Sequence, residues 1–286
     1  MSVDIRRYTD VPGQERTRLS DALAEFYRNP PPSYYAIADG AARHYNERAQ
    51  PFHCDLVSQV RPGTRVLEIG CGTAHLCAQV EQRGGFYTGV DHSDTLLAEN
   101  RRRFPKACFL RLGDPLPEQF DLVASLYTIE HVVDPPAYLK DMWDACKPGG
   151  LLAVICPEFV GSPGFPPSVF FGRTPGRLRK KIQRMALVDA VAHVIDLKRR
   201  AAAWKRVAQA AAPGAFWLNL RPRVLFGSGY AIDADAVHLV RRQDIAWFFQ
   251  HAGAGLVRTS AEMPEVSPDI LRFNAYVLAQ KPASSR

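Results

Sequence analysis

"VLEIGCGTAH", residues 66–75, is the stretch that decides the fold. A β-prone apolar run surrounds Glu68 and passes directly into Gly70-Cys71-Gly72. Glycines placed right after a strand let the backbone approach a ligand where any Cβ would collide. A dinucleotide-binding turn repeats glycine a third time, so that the helix packs closely and a pyrophosphate sits at its N-terminus. Here that third position holds the bulky His75. Glu68 also places a negative charge just before the turn, which repels a diphosphate and attracts an ammonium. The stretch therefore points to an amine-bearing ligand rather than a dinucleotide.

Outward from this turn the pattern alternates. "RVLEIG" (65–70), "FYTGVD" (86–91), "ACFLRL" (107–112), "FDLVASL" (120–126) and "GLLAVICP" (150–157) are short β-rich runs. Helix-compatible segments at 74–83, 93–103 and 135–147 separate them. Strands alternating with helices at this spacing predict a parallel sheet covered on both faces. Ligands of such sheets collect at the carboxyl ends of the strands, near the switch in strand order. The alternation stops at Pro157, where "PEFVGSPGFPPSVFFGRTPG" reads as loop. Residues 176–211 predict one or two helices, because Leu178, Ile182, Met185, Val188, Ala192 and Ile195 recur at three- and four-residue steps. The sheet pattern resumes with "RRQDIAWFFQHAG" (241–253), "GLVRTS" (255–260) and "RFNAYVLAQK" (272–281).

Bulk properties bound the function. The 286 residues are 47% hydrophobic and 23% charged, a balance that buries a sizeable core and argues against disorder. Six cysteines without a C-x-x-C pair predict reduced thiols, a cytoplasmic chain and no structural zinc. The N-terminus is charged from Asp4 onward, unlike a secretory signal. No apolar run approaches the ~18 residues of a membrane span, so no transmembrane segment is expected. The net charge of +7 is concentrated: between Phe171 and Arg223, thirteen Lys or Arg face two acids. That segment carries +11 and the remainder −4, so any acidic partner is to be sought there.

"VLEIGCGTA" resembles motif I of class I S-adenosylmethionine-dependent methyltransferases, E-x-G-x-G-x-G, with Ala74 in place of the last glycine. The resemblance continues in order through "GVDHS", "LGDPLP", "FDLVASLYTIEHV" and "LKDMWDACKPGGLLAV". It runs from about Tyr45 to Pro157 and returns from about residue 237 to 281. It implies a Rossmann-like α/β fold: a seven-stranded, mostly parallel sheet with helices on both faces, plus a helical insert after strand five. The implied division is an N-terminal helical cap (1–60), a cofactor domain (61–157 and 237–286) and a basic insert (158–236) serving as lid or substrate region. The implied cofactor is S-adenosyl-L-methionine. Its contacts would come from Tyr45, Glu68, Gly70, Cys71, Gly72, Asp91, His92, Gly113, Asp114 and Leu126, with Asp91 on the ribose hydroxyls and Asp114 facing the adenine amino group.

Two further stretches need weighing. "DPPAY" (134–138) is similar to the (N/D)-P-P-(Y/F) signature of adenine amino-methyltransferases, but it stands eight residues too far from strand four. Asp134 reads better as a helix N-cap with Pro135 in the first turn. "YTIEHV" is similar to the E-x-x-E-H stretch of ubiquinone-type O-methyltransferases, with Tyr127 at the first acidic position. Glu130 and His131 alone are too few donors, and no metal is expected. His131 is the candidate catalytic residue, a general base beyond the methyl-donor edge of the sheet; the alternative is a histidine that only orders the loop.

The expected activity is methylation of a small or amphiphilic molecule, at oxygen. The insert should lie at the mouth of the cofactor site, and its "RLRKKIQR" cluster beside an apolar helix suits a lipid-linked substrate or peripheral contact with an anionic membrane surface. A solvated lid helix with its apolar stripe in the core is the plainer reading. RNA methylation through the insert is the alternative, disfavoured because aromatics near the bases are few and no RNA-binding module is seen. A catalytically silent binding protein is the other alternative, supported only by Ala74 and Tyr127.

Overall fold

The computed structural model describes residues 3–28, 34, 50–159, 165–168, 170–174, 176–210, 212–226 and 231–284. Contacts within it divide the chain into two units. One comprises Arg48–Ile129, Pro135–Pro157 and Arg242–Arg286; the other comprises Met1–Glu47, Glu130–Asp134 and Glu158–Arg241.

The first unit is built on the mostly parallel sheet that the alternation predicts, with the seven strands that the resemblance implies. Its strands are β2 (Arg65–Ile69), β3 (Phe86–Asp91), β4 (Cys108–Arg111), β5 (Phe120–Leu126), β6 (Cys146–Pro157), β8 (Gly255–Thr259) and β9 (Asn274–Gln280). They lie in the order β4-β3-β2-β5-β6-β9-β8. All neighbours pair parallel except β9, which runs antiparallel to both β6 and β8. β2 is buried from Val66 to Ile69, as a strand covered on both faces must be. The order reverses at β2, which pairs with β3 on one side and β5 on the other, so the turn after β2 opens at the switch point. Helices α2 (Gln50–Ser58), α3 (His75–Gln82), α4 (Asp94–Arg103), α5 (Pro135–Ala145), α8 (Arg242–His251) and α9 (Pro268–Phe273) complete the unit. Phe52, Leu56 and Val60 join Leu76, Val80 and Leu97 in its core.

The second unit departs from the expected division. The N-terminal segment is not wholly helical: Ile5–Arg7 forms β1, antiparallel to β7 (Trp217–Asn219) from the insert. Helix α1 (Gly13–Arg28) packs Leu19 and Leu23 with Val133, Leu218, Leu220 and Val237. Cap and insert thus share one core, which three-residue strands are too short to announce in sequence. The predicted helical stretch of the insert splits into α6 (Leu178–Gln183) and α7 (Leu187–Gln209), broken at Met185, whose φ is +56°.

The apolar stripe expected to be core points the other way. α7 buries Ala190, His193, Asp196, Ala203 and Val207, while Ile182, Met185, Val188 and Ile195 are exposed. Asp196 explains the inversion: it accepts hydrogen bonds from the Ser168 amide (2.8 Å) and hydroxyl and pairs with Arg200 at 2.7 Å. Lys181, counted among the surface bases of the cluster, is fully buried. Its ammonium donates to the Phe171 carbonyl and lies 3.7 Å from the centre of the Phe171 ring.

Candidate active site

The turn after β2 is shaped by its neighbours. The Gly70 and Cys71 amides both donate to the Val90 carbonyl, at 2.8 and 3.0 Å. Gly70 has φ +77°, and a Cβ there would collide with the Thr128 side chain, which follows β5. Gly72 has φ +49°, yet an added Cβ would meet nothing within 4 Å among the described residues. Gly70 is thus required by the protein itself, whereas Gly72 leaves open space above its backbone. Ala74, in the position of the motif's last glycine, has φ +55° and ψ +46° and is fully buried. The chain keeps the left-handed turn with an alanine, at a cost of about 1–2 kcal/mol.

The Gly72 peptide is gripped from both sides. Its N–H donates to Asp91 Oδ2 at 2.8 Å, and its carbonyl accepts from Asn100 Nδ2 at 2.7 Å. The other Asp91 oxygen accepts the Ser93 amide at 2.9 Å, and Ser93 caps α4. Asp91 stays partly exposed at the end of β3, with lone pairs beyond those two bonds. Across the switch point, the Tyr138 hydroxyl donates to the Ile69 carbonyl (3.1 Å) and hydrogen-bonds Ser125 Oγ (2.8 Å). Asn100, Thr128 and Tyr138 carry no local signature; only packing reveals them. Tyr138 belongs to the "DPPAY" stretch, where it holds the first strand's exit rather than a base.

Glu68 and Cys71 serve the turn from below. Glu68 is 4% exposed and accepts the Tyr87 hydroxyl, between the small Gly89 and Ala124 of its neighbouring strands. Burial pushes its carboxyl up to about 8, with the Tyr87 bond opposing and the Asp91 charge adding. The buried carboxyl therefore keeps its proton near neutral pH and presents no negative charge at the turn, contrary to the sequence expectation. Cys71 is also a core residue: its sulfur would lie 2.8 Å from a Cβ on Gly89, and burial raises its thiol. At the end of β4, a Cβ on Gly113 (φ +99°) would meet nothing within 4 Å among the described residues, and Asp114 turns back to accept the Arg111 amide at 2.9 Å. His92 and Asp114 are exposed and Leu126 is partly buried. Tyr45 lies outside the described residues.

Tyr127 explains the departure from E-x-x-E-H. It sits at φ +52°, its amide donates to the Ile155 carbonyl (2.8 Å), and its hydroxyl donates to Asn274 Oδ1 (3.2 Å). It is a turn residue here.

His131 lies in the other unit, among acids. Its Nδ1 is 3.5 Å from Asp235 Oδ2 and its Nε2 is 3.8 Å from Glu130 Oε1. The Tyr27 hydroxyl donates to the same Asp235 oxygen at 2.9 Å. Burial would lower the His131 pKa, but Asp235 first, then Glu130 and Asp233, hold it above its ordinary value. Burial raises Glu130 to about 7 against the pull of His131. Asp134 accepts the Tyr8 hydroxyl at 2.8 Å. Among the described residues no three His, Cys, Asp or Glu side chains converge to hold a metal.

An open glycine cradle, braced on both sides at the switch point and edged by a carboxylate, fits a nucleoside approached by backbone. Fold and turn together define an S-adenosylmethionine-dependent methyltransferase. Residues 41–259 match the family described as "Methyltransferase domain", and the chain belongs to that family. It is 33% identical over 126 residues to a ubiquinone biosynthesis O-methyltransferase of Rhodopseudomonas palustris, covering 41% of this chain and 47% of that protein. A second protein of that name, from Idiomarina loihiensis, is 37% identical over 97 residues, covering 31% of this chain and 40% of its own. The chain spans about half the length of the curated relatives it matches. In fold it is similar to 1,6-didemethyltoxoflavin-N1-methyltransferase of Burkholderia thailandensis, a structure with bound S-adenosylhomocysteine (TM-score 0.55, 14% identity, 96% of this chain and 93% of that one). It is also similar to an S-adenosylmethionine-dependent methyltransferase of Mesorhizobium loti (TM-score 0.50, 18% identity, 85% and 99%).

Proposed function

We propose that this protein transfers a methyl group from S-adenosylmethionine to an oxygen of a small or amphiphilic acceptor. The observation that carries the cofactor assignment is the Gly72 peptide, fixed between Asp91 and Asn100 with open space where a side chain would be. S-adenosylmethionine supplies an electrophilic methyl on a sulfonium. In this reading Asp91 receives the ribose hydroxyls, Gly72 and Gly113 offer close backbone approach, and Asp114 and Leu126 border the adenine. The chain's own contribution is orientation, since in-line positioning of nucleophile and methyl can supply much of the rate.

The oxygen assignment rests on the relatives' printed names and on His131. Asp235 and Glu130 stand near its two ring nitrogens, and their charges strengthen the imidazole as a proton acceptor. His131 would take the acceptor's hydroxyl proton as the oxygen attacks. Calorimetric titration with S-adenosylmethionine tests the cofactor reading. Release of S-adenosylhomocysteine on incubation with hydroxylated aromatic and isoprenoid acceptors, against amine analogues, tests the oxygen. Turnover of the amines alone would redirect the reading to nitrogen.

A further inference from the structure

The outer face of the α6–α7 pair is an unusual surface. Eight of the fourteen exposed large hydrophobic residues among those described fall between Ile182 and Leu197. Leu187, Val188, Val191, Val194 and Ile195 follow one another at helical steps opposite the buried face of α7, with Val188 84% and Val191 62% exposed. Met185 (76%) extends the strip into the turn before α7. Scattered surface hydrophobics are normal, but a contiguous strip signals an interaction site. α7 meanwhile buries the polar His193 and Asp196, so its orientation is anchored by hydrogen bonds and not chosen to hide the valines.

Charge identifies the occupant. Arg177, Arg179, Lys180 and Arg184 are exposed at one end of the strip, and Lys198 and Arg199 at the other. The acids of this stretch are engaged elsewhere: Asp196 is buried on Arg200, and Asp189 accepts the Arg173 and Thr174 amides. A second copy of the chain would fit poorly, because two-fold pairing of the strip sets basic ends against basic ends in either sense. An apolar strip flanked by cations matches the interface of an anionic bilayer, where valines enter the acyl boundary and cations meet phosphate headgroups.

We infer that the exposed face of α6 and α7 docks this protein on anionic membrane surfaces, through Met185, Val188 and Val191 as the inserted residues and Arg179, Lys180 and Arg184 as the headgroup contacts. The docking goes beyond the methyl-transfer reading and does not depend on it. Lys181, buried on Phe171, takes no part.

Co-sedimentation of the full chain with vesicles tests this, using phosphatidylcholine alone and phosphatidylcholine mixed with phosphatidylglycerol. The protein should bind the mixed vesicles at low salt, more weakly at high salt, and bind phosphatidylcholine least. Val188→Ser with Val191→Ser should reduce partitioning about tenfold or more. Arg179→Gln, Lys180→Gln and Arg184→Gln together should reduce binding to mixed vesicles at low salt by on the order of a hundredfold and leave phosphatidylcholine unaffected. All five side chains are exposed, so unchanged thermal melting confirms that the variants fold. Calorimetry with S-adenosylmethionine on the same variants reports the cofactor site separately. Absence of vesicle binding, or binding indifferent to salt and to both sets of substitutions, overturns the inference. So does a dimer that the serine variant converts to monomer while vesicles capture nothing.

Discussion

The amide of Gly72 donates to Oδ2 of Asp91 across 2.8 Å, tying the glycine turn to the end of the neighbouring strand. The carboxylate assigned to the ligand's ribose is thus also a brace for the backbone that approaches it. Asp91→Ala removes both functions. Losing two hydroxyl contacts to a carboxylate should cost roughly 2–3 kcal/mol of binding. S-adenosylmethionine affinity, measured by calorimetry, should fall about 30- to 150-fold. Unchanged affinity in the folded variant would remove Asp91 from the site.

Gly70 and Gly72 should respond oppositely to alanine. Both adopt positive φ, so each variant carries left-handed strain of about 1–2 kcal/mol. Gly70→Ala additionally drives its methyl into Thr128 and should lower the denaturation midpoint sharply. Gly72→Ala meets open space, so its loss should appear mainly in cofactor binding, and Gly72→Val should abolish binding. Urea melts and calorimetry on the same samples separate the two effects.

Ala74→Gly should be close to neutral, within about 1 kcal/mol. Relief of the left-handed strain offsets the lost buried methyl and the added freedom of the unfolded chain. A loss of several kcal/mol in a denaturant titration would mean that the alanine is itself a packing requirement.

Glu68 should make stability fall as pH rises. Its carboxyl is held near 8 in the folded protein against an ordinary value near 4.5, so the folded state keeps a proton that the unfolded state releases. Its contribution is complete below the unfolded value and is lost as pH climbs toward the folded one. Glu130, raised to about 7, acts in the same direction. Glu68→Gln should therefore flatten part of the decline in urea midpoint between pH 5 and 8; a slope identical to that of the parent would contradict the burial argument.

For His131 the sign follows from its neighbours. Asp235, and then Glu130, hold its pKa above 6.5, so the stability it gains as imidazolium is present at low pH and lost as pH passes the folded value. Asp235→Asn should lower the histidine's titration midpoint, read from its ring-proton shifts in NMR. Because the asparagine can still accept the Tyr27 hydroxyl, the effect is electrostatic rather than structural. A midpoint that does not move would dissociate Asp235 from His131.

The sheet and the place of its turn were legible in the amino-acid sequence. Alternating β-rich and helical runs have one economical solution, and a strand ending in Gly-x-Gly marks the switch point, because both depend on near-neighbour periodicity and sterics. The tertiary structure alone decided which glycine protects the fold and which faces open space, since that depends on Thr128, 58 residues beyond Gly70. It also brought Asn100 to the Gly72 carbonyl and Tyr27 to Asp235, pairs that no spacing rule connects. Most plainly, it turned the valines of α7 outward. Periodicity shows that a helix has an apolar stripe, but which way the stripe faces is set by long-range partners. In α7 the buried bonds of Asp196 to Ser168 and Arg200 outweigh the exposure of Val188 and Val191.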